Sequence, residues 1–212
     1  FTRATREDNV PPDLQFQFRI AAVACGLGEI GWSKMLLTPE FGPLQRVAFI
    51  FTDAELEYDE MYNGKPLCRK CGACVRECPG GCIPTINSGK TVTVNLAGKI
   101  CEWGDIDMWR CYAFYTHGGR YFNPFVPKEV FDKNENGMLD LLEGITDDAN
   151  EKEVMKVYSA LEKYFPSWVG YNMAKCGGCI RGCVSMLEKK GGCMEDRFVT
   201  PLRTGKAWKM DR

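Results

Sequence analysis

The stretch "CRKCGACVRECPGGC", residues 68–82, gathers five of the chain's twelve cysteines into fifteen positions. No other feature limits the fold so strongly, because thiols at this density are either cross-linked or bound to metal. Cys68, Cys71, Cys74 and Cys78, followed by Pro79, read C-x2-C-x2-C-x3-C-P, the spacing that holds a [4Fe–4S] cluster.

The chemistry needs that spacing. Three thiolates two residues apart let a tight loop wrap one face of a cuboidal cluster. The fourth, set before a proline that redirects the chain, points away and in two-cluster proteins ligates the other cluster. Zinc sites more often pair two separated C-x2-C knuckles. Disulfide frameworks serve chains too small to build a core, whereas this one has 212 residues and is 45% hydrophobic. The run is therefore read as iron–sulfur.

A second run, "KCGGCIRGC", supplies Cys176, Cys179 and Cys183 as C-x2-C-x3-C. If Cys78 serves a partner cluster, two clusters need eight thiolates and the two runs provide seven. The eighth must come from Cys25, Cys82, Cys101, Cys111 or Cys193. The alternative is one cluster on the first run, with the later cysteines binding zinc or nothing. Cysteines outside the ligand sets are expected to be buried free thiols.

A net charge of −1 and 27 basic residues without a basic block argue against nucleic-acid binding as the main function. The longest apolar stretches, "VAFIF" and "AAVAC", fall far short of the ~20 residues that span a bilayer. The chain starts at Phe1 with no signal peptide, so location is left open between the cytoplasm and an exported, membrane-associated position in an anaerobe. Twelve cysteines kept as thiolates imply a reducing setting, at least during cluster assembly.

Along the chain, residues 1–20 open polar, with Pro11 and Pro12 marking an extended entry. "FRIAAVACGLGEIGWSKMLL" predicts a helix, a glycine-rich break and a second short helix. "QRVAFIFTD" predicts a buried strand, and "TVTVNLAGKICEWG" a strand or hairpin. Residues 151–165, "EKEVMKVYSALEKYF", form the best amphipathic helix, with Val154, Val157, Tyr158, Leu161 and Phe165 on its apolar face. Gly26, Gly28 and Gly31 formally match the dinucleotide pattern G-x-G-x-x-G. That pattern counts only between a strand and a helix, and here the preceding segment reads helical. The glycines are better read as permitting tight turns and close backbone approach.

"DKNENGMLDLLE", residues 132–143, fits the twelve-residue calcium loop D-x-[DN]-x-[DN]-G-x5-E without a mismatch. Asp132, Asn134 and Asn136 would offer side-chain oxygens, Met138 its carbonyl, Asp140 a direct or water-bridged contact, and Glu143 a bidentate carboxylate. The incoming helix is short and no second copy exists to pair with, so a bound Ca2+ here is expected to be structural. The lone histidine, His117, is read as a packed or surface residue before it is read as an acid or a ligand. Trp103, Trp109, Tyr112 and Tyr115 would shield clusters from water, which helps set reduction potentials.

Taken together, "AAVACGLGEIG…LLTPEFGPLQRVAFIFTD" and the eight-cysteine pattern resemble the corrinoid-dependent reductive dehalogenases and the related epoxyqueuosine reductases. The resemblance covers residues 18–111 and 170–184. It implies an α+β chain in which residues 1–58 close an α/β cobalamin-binding domain. Residues 59–212 would form a two-cluster ferredoxin-like domain, with a calcium-loop insertion near 112–170. It also implies one [4Fe–4S] cluster on Cys68, Cys71, Cys74 and Cys183 and another on Cys78, Cys111, Cys176 and Cys179. The clusters would relay single electrons to a corrinoid that reduces a small organic substrate. Gly26, Gly28, Glu29 and Gly31 would line the lower cofactor surface, and Arg46 would face an anionic group.

The sequence departs from that family in three ways. Most of the cobalamin domain, with the tyrosine proton donor of the dehalogenases, would lie upstream of Phe1. Cys183 is followed by Val184 where relatives often carry proline, and the stretch between Cys111 and Cys176 is long. The chain is accordingly expected to be either part of a larger enzyme or a stand-alone electron-transfer subunit completed by a redox partner protein.

Overall fold

The computed structural model describes residues 17–165, 176–202 and 210–211. The extended entry around Pro11 and Pro12, and residues 170–175 of the resemblance, lie outside them. The architecture mixes short helices with two small antiparallel hairpins.

Helix α1, Phe18–Ala24, buries Ala22 and Val23. The glycine-rich segment after it does not lead to a second helix. Glu29–Ile30 (β1) pairs antiparallel with Leu36–Leu37 (β2). Gly28 makes this possible: its φ is +157°, and a Cβ there would stand 1.9 Å from the Leu37 carbonyl oxygen. Two-residue strands have no periodicity to reveal them, which is why the hairpin escapes a pattern search.

The stretch predicted as a buried strand forms no regular element and lies outside both sheets. Val47 and Phe49 pack against the cluster of Ala22, Val23, Ile30, Leu36, Cys101 and Trp103. Ile50 is 92% exposed, and Leu56 and Tyr58 are exposed beyond it. A strand exists only as a member of a sheet, and the described residues supply no neighbour for this one.

A one-turn helix α2, Ala73–Arg76, follows within the first cysteine run. Thr91–Leu96 (β3) and Lys99–Gly104 (β4) form the predicted hairpin, closed by Ala97 and Gly98, both at positive φ. Two positive-φ residues are what a tight two-residue hairpin turn demands. The Gly104 amide donates to the Trp32 carbonyl at 3.0 Å, which fastens this hairpin to the first.

Helix α3, Met108–His117, is capped by Asp107, whose carboxylate accepts the Arg110 amide at 2.9 Å. The insertion then folds around its own core. Short helices α4, Lys128–Lys133, and α5, Asp140–Glu143, precede α6, Glu151–Leu161. Phe114, Phe131, Leu139, Leu141, Val154, Val157 and Leu161 form that core, so the predicted amphipathic helix buries its predicted face. Asn150 caps α6 by accepting the Glu153 amide at 3.1 Å. Helix α7, Gly178–Leu187, carries the second cysteine run back onto α2. Among the described residues no helix is long and apolar enough to cross a membrane.

Candidate metal centre

Helices α2 and α7 meet at backbone distance, and two glycines allow it. A Cβ at Gly182 would stand 2.8 Å from the Ala73 carbonyl oxygen, and one at Gly178 would stand 2.1 Å from that of Glu77. Arg181 pairs with Glu77 across the same seam. These glycines are spaced i, i+4 on one helix face, a signal present in "GGCIRG" that a search for ligands passes over.

This contact interleaves the two cysteine runs. Cys68, Cys71 and Cys74 line a small cavity of about 40 Å³ together with Cys183 from the other run, beside Trp32 and Met186. Burial pushes the Cys183 thiol up, and the neighbouring Cys68, Cys74 and Cys71 push it further. Cys74 is raised to about 11, by burial first and then by Cys68 and Cys71. Two contacts secure Cys68: its amide donates to Glu29 Oε1 at 2.6 Å, and its Sγ accepts the Trp32 amide at 3.3 Å. Glu29 and the glycine hairpin therefore hold the first cysteine of the run. Arg46 stands on an exposed stretch of the chain.

Cys78 belongs to a different neighbourhood. Burial raises Cys179 to about 12, with Cys176, Cys111 and Cys78 adding to the shift. Cys176 is likewise raised by burial, with Cys78 and Cys111 within electrostatic reach. Cys82 is the unanticipated member. Its interactions with Cys111 and Cys78, and then burial, push its thiol up. The same interactions with Cys82 hold Cys78 down at about 6 and lower Cys111. Arg19, also unmarked by any motif, acts electrostatically on both Cys179 and Cys111 and donates to the Lys34 carbonyl at 2.9 Å.

The donor chemistry fits iron–sulfur clusters. All twelve cysteines are free thiols. For Cys74 and Cys183 in one set and Cys176 and Cys179 in the other, burial first and then neighbouring cysteines oppose ionisation, which is the penalty a cationic cluster core offsets when it binds thiolates. Among the described residues no three His, Cys, Asp or Glu side chains converge as they would on a single metal ion. Cluster thiolates need no such convergence, because each binds a different iron corner. Of the remaining cysteines, Cys101 is buried, Cys193 is half-buried, and Cys25 is exposed rather than buried as expected.

The acidic loop is closed by an arginine. Arg120 Nε bonds Glu143 Oε2 at 3.0 Å and its NH1 bonds Asp132 Oδ1 at 2.5 Å, so one guanidinium joins loop positions one and twelve. Asn134 donates to Asp140 Oδ1 at 2.6 Å and accepts the Leu139 amide at 2.7 Å. Asn136 is exposed and Met138 half-buried, while Leu139 anchors the loop in the core. The second oxygen of Glu143, Oε1, is buried without a partner. Arg120 and Glu143 also line a cavity of about 360 Å³ with Arg110 and the Pro79–Gly81 turn that follows Cys78.

Comparison with known proteins gives one consistent similarity. The chain is 29% identical over 161 residues to a tetrachloroethene reductive dehalogenase of Desulfitobacterium hafniense, a match covering 71% of this chain and 27% of the relative. The tetrachloroethene reductive dehalogenase of Dehalobacter restrictus matches with the same identity and coverage. That of Sulfurospirillum multivorans is 30% identical over 131 residues, 59% of this chain and 26% of the relative. The chain spans about a quarter of the length of these relatives. No family model matches the chain, and no solved structure matches it.

Proposed function

We propose that this chain is the electron-relay portion of an oxidoreductase of the reductive dehalogenase type. It would carry one [4Fe–4S] cluster on Cys68, Cys71, Cys74 and Cys183 and a second on Cys78, Cys111, Cys176 and Cys179. The observation that carries the reading is the exchange between the runs. Cys183 lines one cavity with the first three cysteines, while Cys78 keeps company with Cys111, Cys176 and Cys179. Such an exchange is what a pair of adjacent clusters requires of a C-x3-C-P run.

When bound, the clusters supply one-electron storage at low potential. The residues of the chain do the rest. Trp32, Cys74 and Ile83 form an apolar cluster with Cys68, Cys78 and Cys179 at its margin, which keeps water from the space between the two sets. Glu29 and Trp32 orient Cys68. Asp107 starts the helix that presents Cys111, and the Gly178–Gly182 face seats α7 on α2.

The reducing site, with the corrinoid that the family resemblance implies and a small organic halide as substrate, belongs in this reading to polypeptide that completes the chain. The relatives are about four times longer than the matched segment. The exposed Ile50, Leu56 and Tyr58 mark where that polypeptide would pack, and the same surface would serve a separate redox partner in an electron-transfer subunit. We also assign Ca2+ to the 132–143 loop as a structural ion, displacing Arg120 from Asp132 and Glu143.

Ligand exchange between the runs is testable by substitution. Cys183→Ser and Cys179→Ser should each lower the iron content by about four per chain, and the two variants should retain clusters with different electron paramagnetic resonance spectra. Identical residual spectra would show that both cysteines serve one cluster and overturn the assignment.

A further inference from the structure

Basic side chains crowd the mouth of the first cysteine cavity. Arg69 and Lys70, set between Cys68 and Cys71, line it together with Met186 and Cys183. Lys189, just beyond α7, places its Nζ 3.4 Å from Met186 Sδ. A Cβ at Gly191 would stand 3.3 Å from an Arg69 guanidinium nitrogen, so the turn bearing Lys189 and Lys190 folds back over the first run. Arg76 Nη1 donates to the Cys71 carbonyl at 3.1 Å. Arg69, Lys70, Arg76, Lys189 and Lys190 are all exposed, and so is Cys71.

The acids beside these cations are mostly engaged elsewhere. Lys70 pairs with Glu102, Glu188 accepts the Leu202 amide and Glu195 the Gly191 amide. The ion pairs among the described residues include none to Arg69, Arg76, Lys189 or Lys190. The whole chain carries a net charge of −1, so the positive excess is local. Local charge of one sign steers oppositely charged partners. The rim also lies apart from the exposed stretch assigned above to the completing polypeptide. Glu102 alternates on β4 with Cys101 and Trp103, on whose side Val47 and Phe49 pack. Lys70 therefore stands across the hairpin from them, which gives a relay separate faces for entrance and exit.

We propose that this basic rim is the docking face for an acidic electron-carrier protein that loads the cluster on Cys68, Cys71, Cys74 and Cys183. One electron passes from the reduced centre of the carrier to the oxidised cluster. The carrier is oxidised by one electron, the cluster is reduced by one, and the transfer needs neither a new bond nor a proton. Cations spread along two loops suit a protein surface, whereas a small anion needs donors aimed at one point. The proposal rests on the electron-relay reading above and adds the chemistry of the donor.

The test uses the anaerobically purified, cluster-loaded protein, with a reduced plant-type [2Fe–2S] ferredoxin of acidic surface as the probe. The double variant Lys189→Glu/Lys190→Glu reverses two charges and touches no cysteine. In stopped-flow measurements, reduction of the parent by ferredoxin should slow about tenfold between about 20 and about 200 mM salt. At the lower salt the variant should react about tenfold more slowly than the parent, with a flatter salt dependence. Arg69→Glu, on the other loop, should act in the same way and keeps the test open should the double variant not fold. Reduced methyl viologen, a small cation, should reduce parent and variants without slowing in the variants. Equal ferredoxin rates for parent and variants, or a parent rate indifferent to salt, would overturn the proposal. So would phosphatidylglycerol vesicles that retain the parent and release the variants while ferredoxin rates stay equal, because the rim would then be a lipid face. Fewer than about four irons per chain in the parent would overturn the relay reading itself, and the proposal with it.

Discussion

His117, the chain's one histidine, is packed as a core residue. Its ring lies edge-on to Tyr158 at 5.6 Å and beside Phe165 at 5.8 Å, with Nδ1 2.6 Å from Thr116 Oγ1 and Nε2 buried without a partner. Burial pushes its pKa down to about 4, against about 6.5 in an unfolded chain. Between those values the unfolded chain takes up a proton that the folded one refuses. The stability contribution is complete above pH 6.5 and is lost as pH falls toward 4, by about 3 kcal/mol in all. His117→Phe removes this titration and should flatten the pH dependence of the melting temperature between pH 7 and 4. Parallel profiles for the two proteins would show that His117 is not buried in its neutral form. The environment that identifies His117 as packing was not legible in "YTHGGR", because its neighbours come from α6, some 40 residues away. The two cysteine runs were legible because their spacing is local. The contact of Cys82 with Cys78 was not, since its amide meets that sulfur only in the folded turn.

The elements divide along the same line. Helix α6 and the β3–β4 hairpin could be read from the sequence because each has its own periodicity or turn chemistry. The β1–β2 hairpin could not, and the "VAFIF" strand was over-read, because strand formation depends on a neighbour that composition does not name. The calcium loop was read by spacing, yet nothing in its twelve residues foretells Arg120, which arrives from the turn after α3 and spans Asp132 and Glu143. If Arg120 stands where a divalent ion would, the two cations should substitute for one another. In chelator, Arg120→Gln should lower the melting temperature by about 2–4 °C relative to the unmodified protein. Added Ca2+ should then stabilise the variant more than it stabilises the parent. Ca2+ that stabilises neither protein would overturn the calcium assignment and leave Arg120 and Lys128 as the cations that pair with Asp132.

As a whole, the molecule joins two bodies of apolar packing through its cysteines. The insertion has its own core of α3, α4, α5 and α6, and Cys111 rises from α3 toward Cys78. The N-terminal hairpin has another, and Glu29 and Trp32 reach from it to Cys68. Without clusters, each set holds cysteines whose burial resists ionisation, Cys74 and Cys183 in one and Cys176 and Cys179 in the other. With clusters, the same sets cross-link α2, α3, α7 and both loops, so cluster loss should loosen the entire chain. The family resemblance was legible from the runs and "GLGEIG" together, and the relatives carry it to 29% identity. The exposure of Ile50 and Tyr58 was not legible, because "VAFIF" and its flanks read as a buried strand. The central claim is that eight cysteines hold two clusters, and anaerobic determination of iron and acid-labile sulfide per chain tests it most directly. The account predicts about eight of each, with zinc absent. About four of each, or zinc in place of iron, would contradict it.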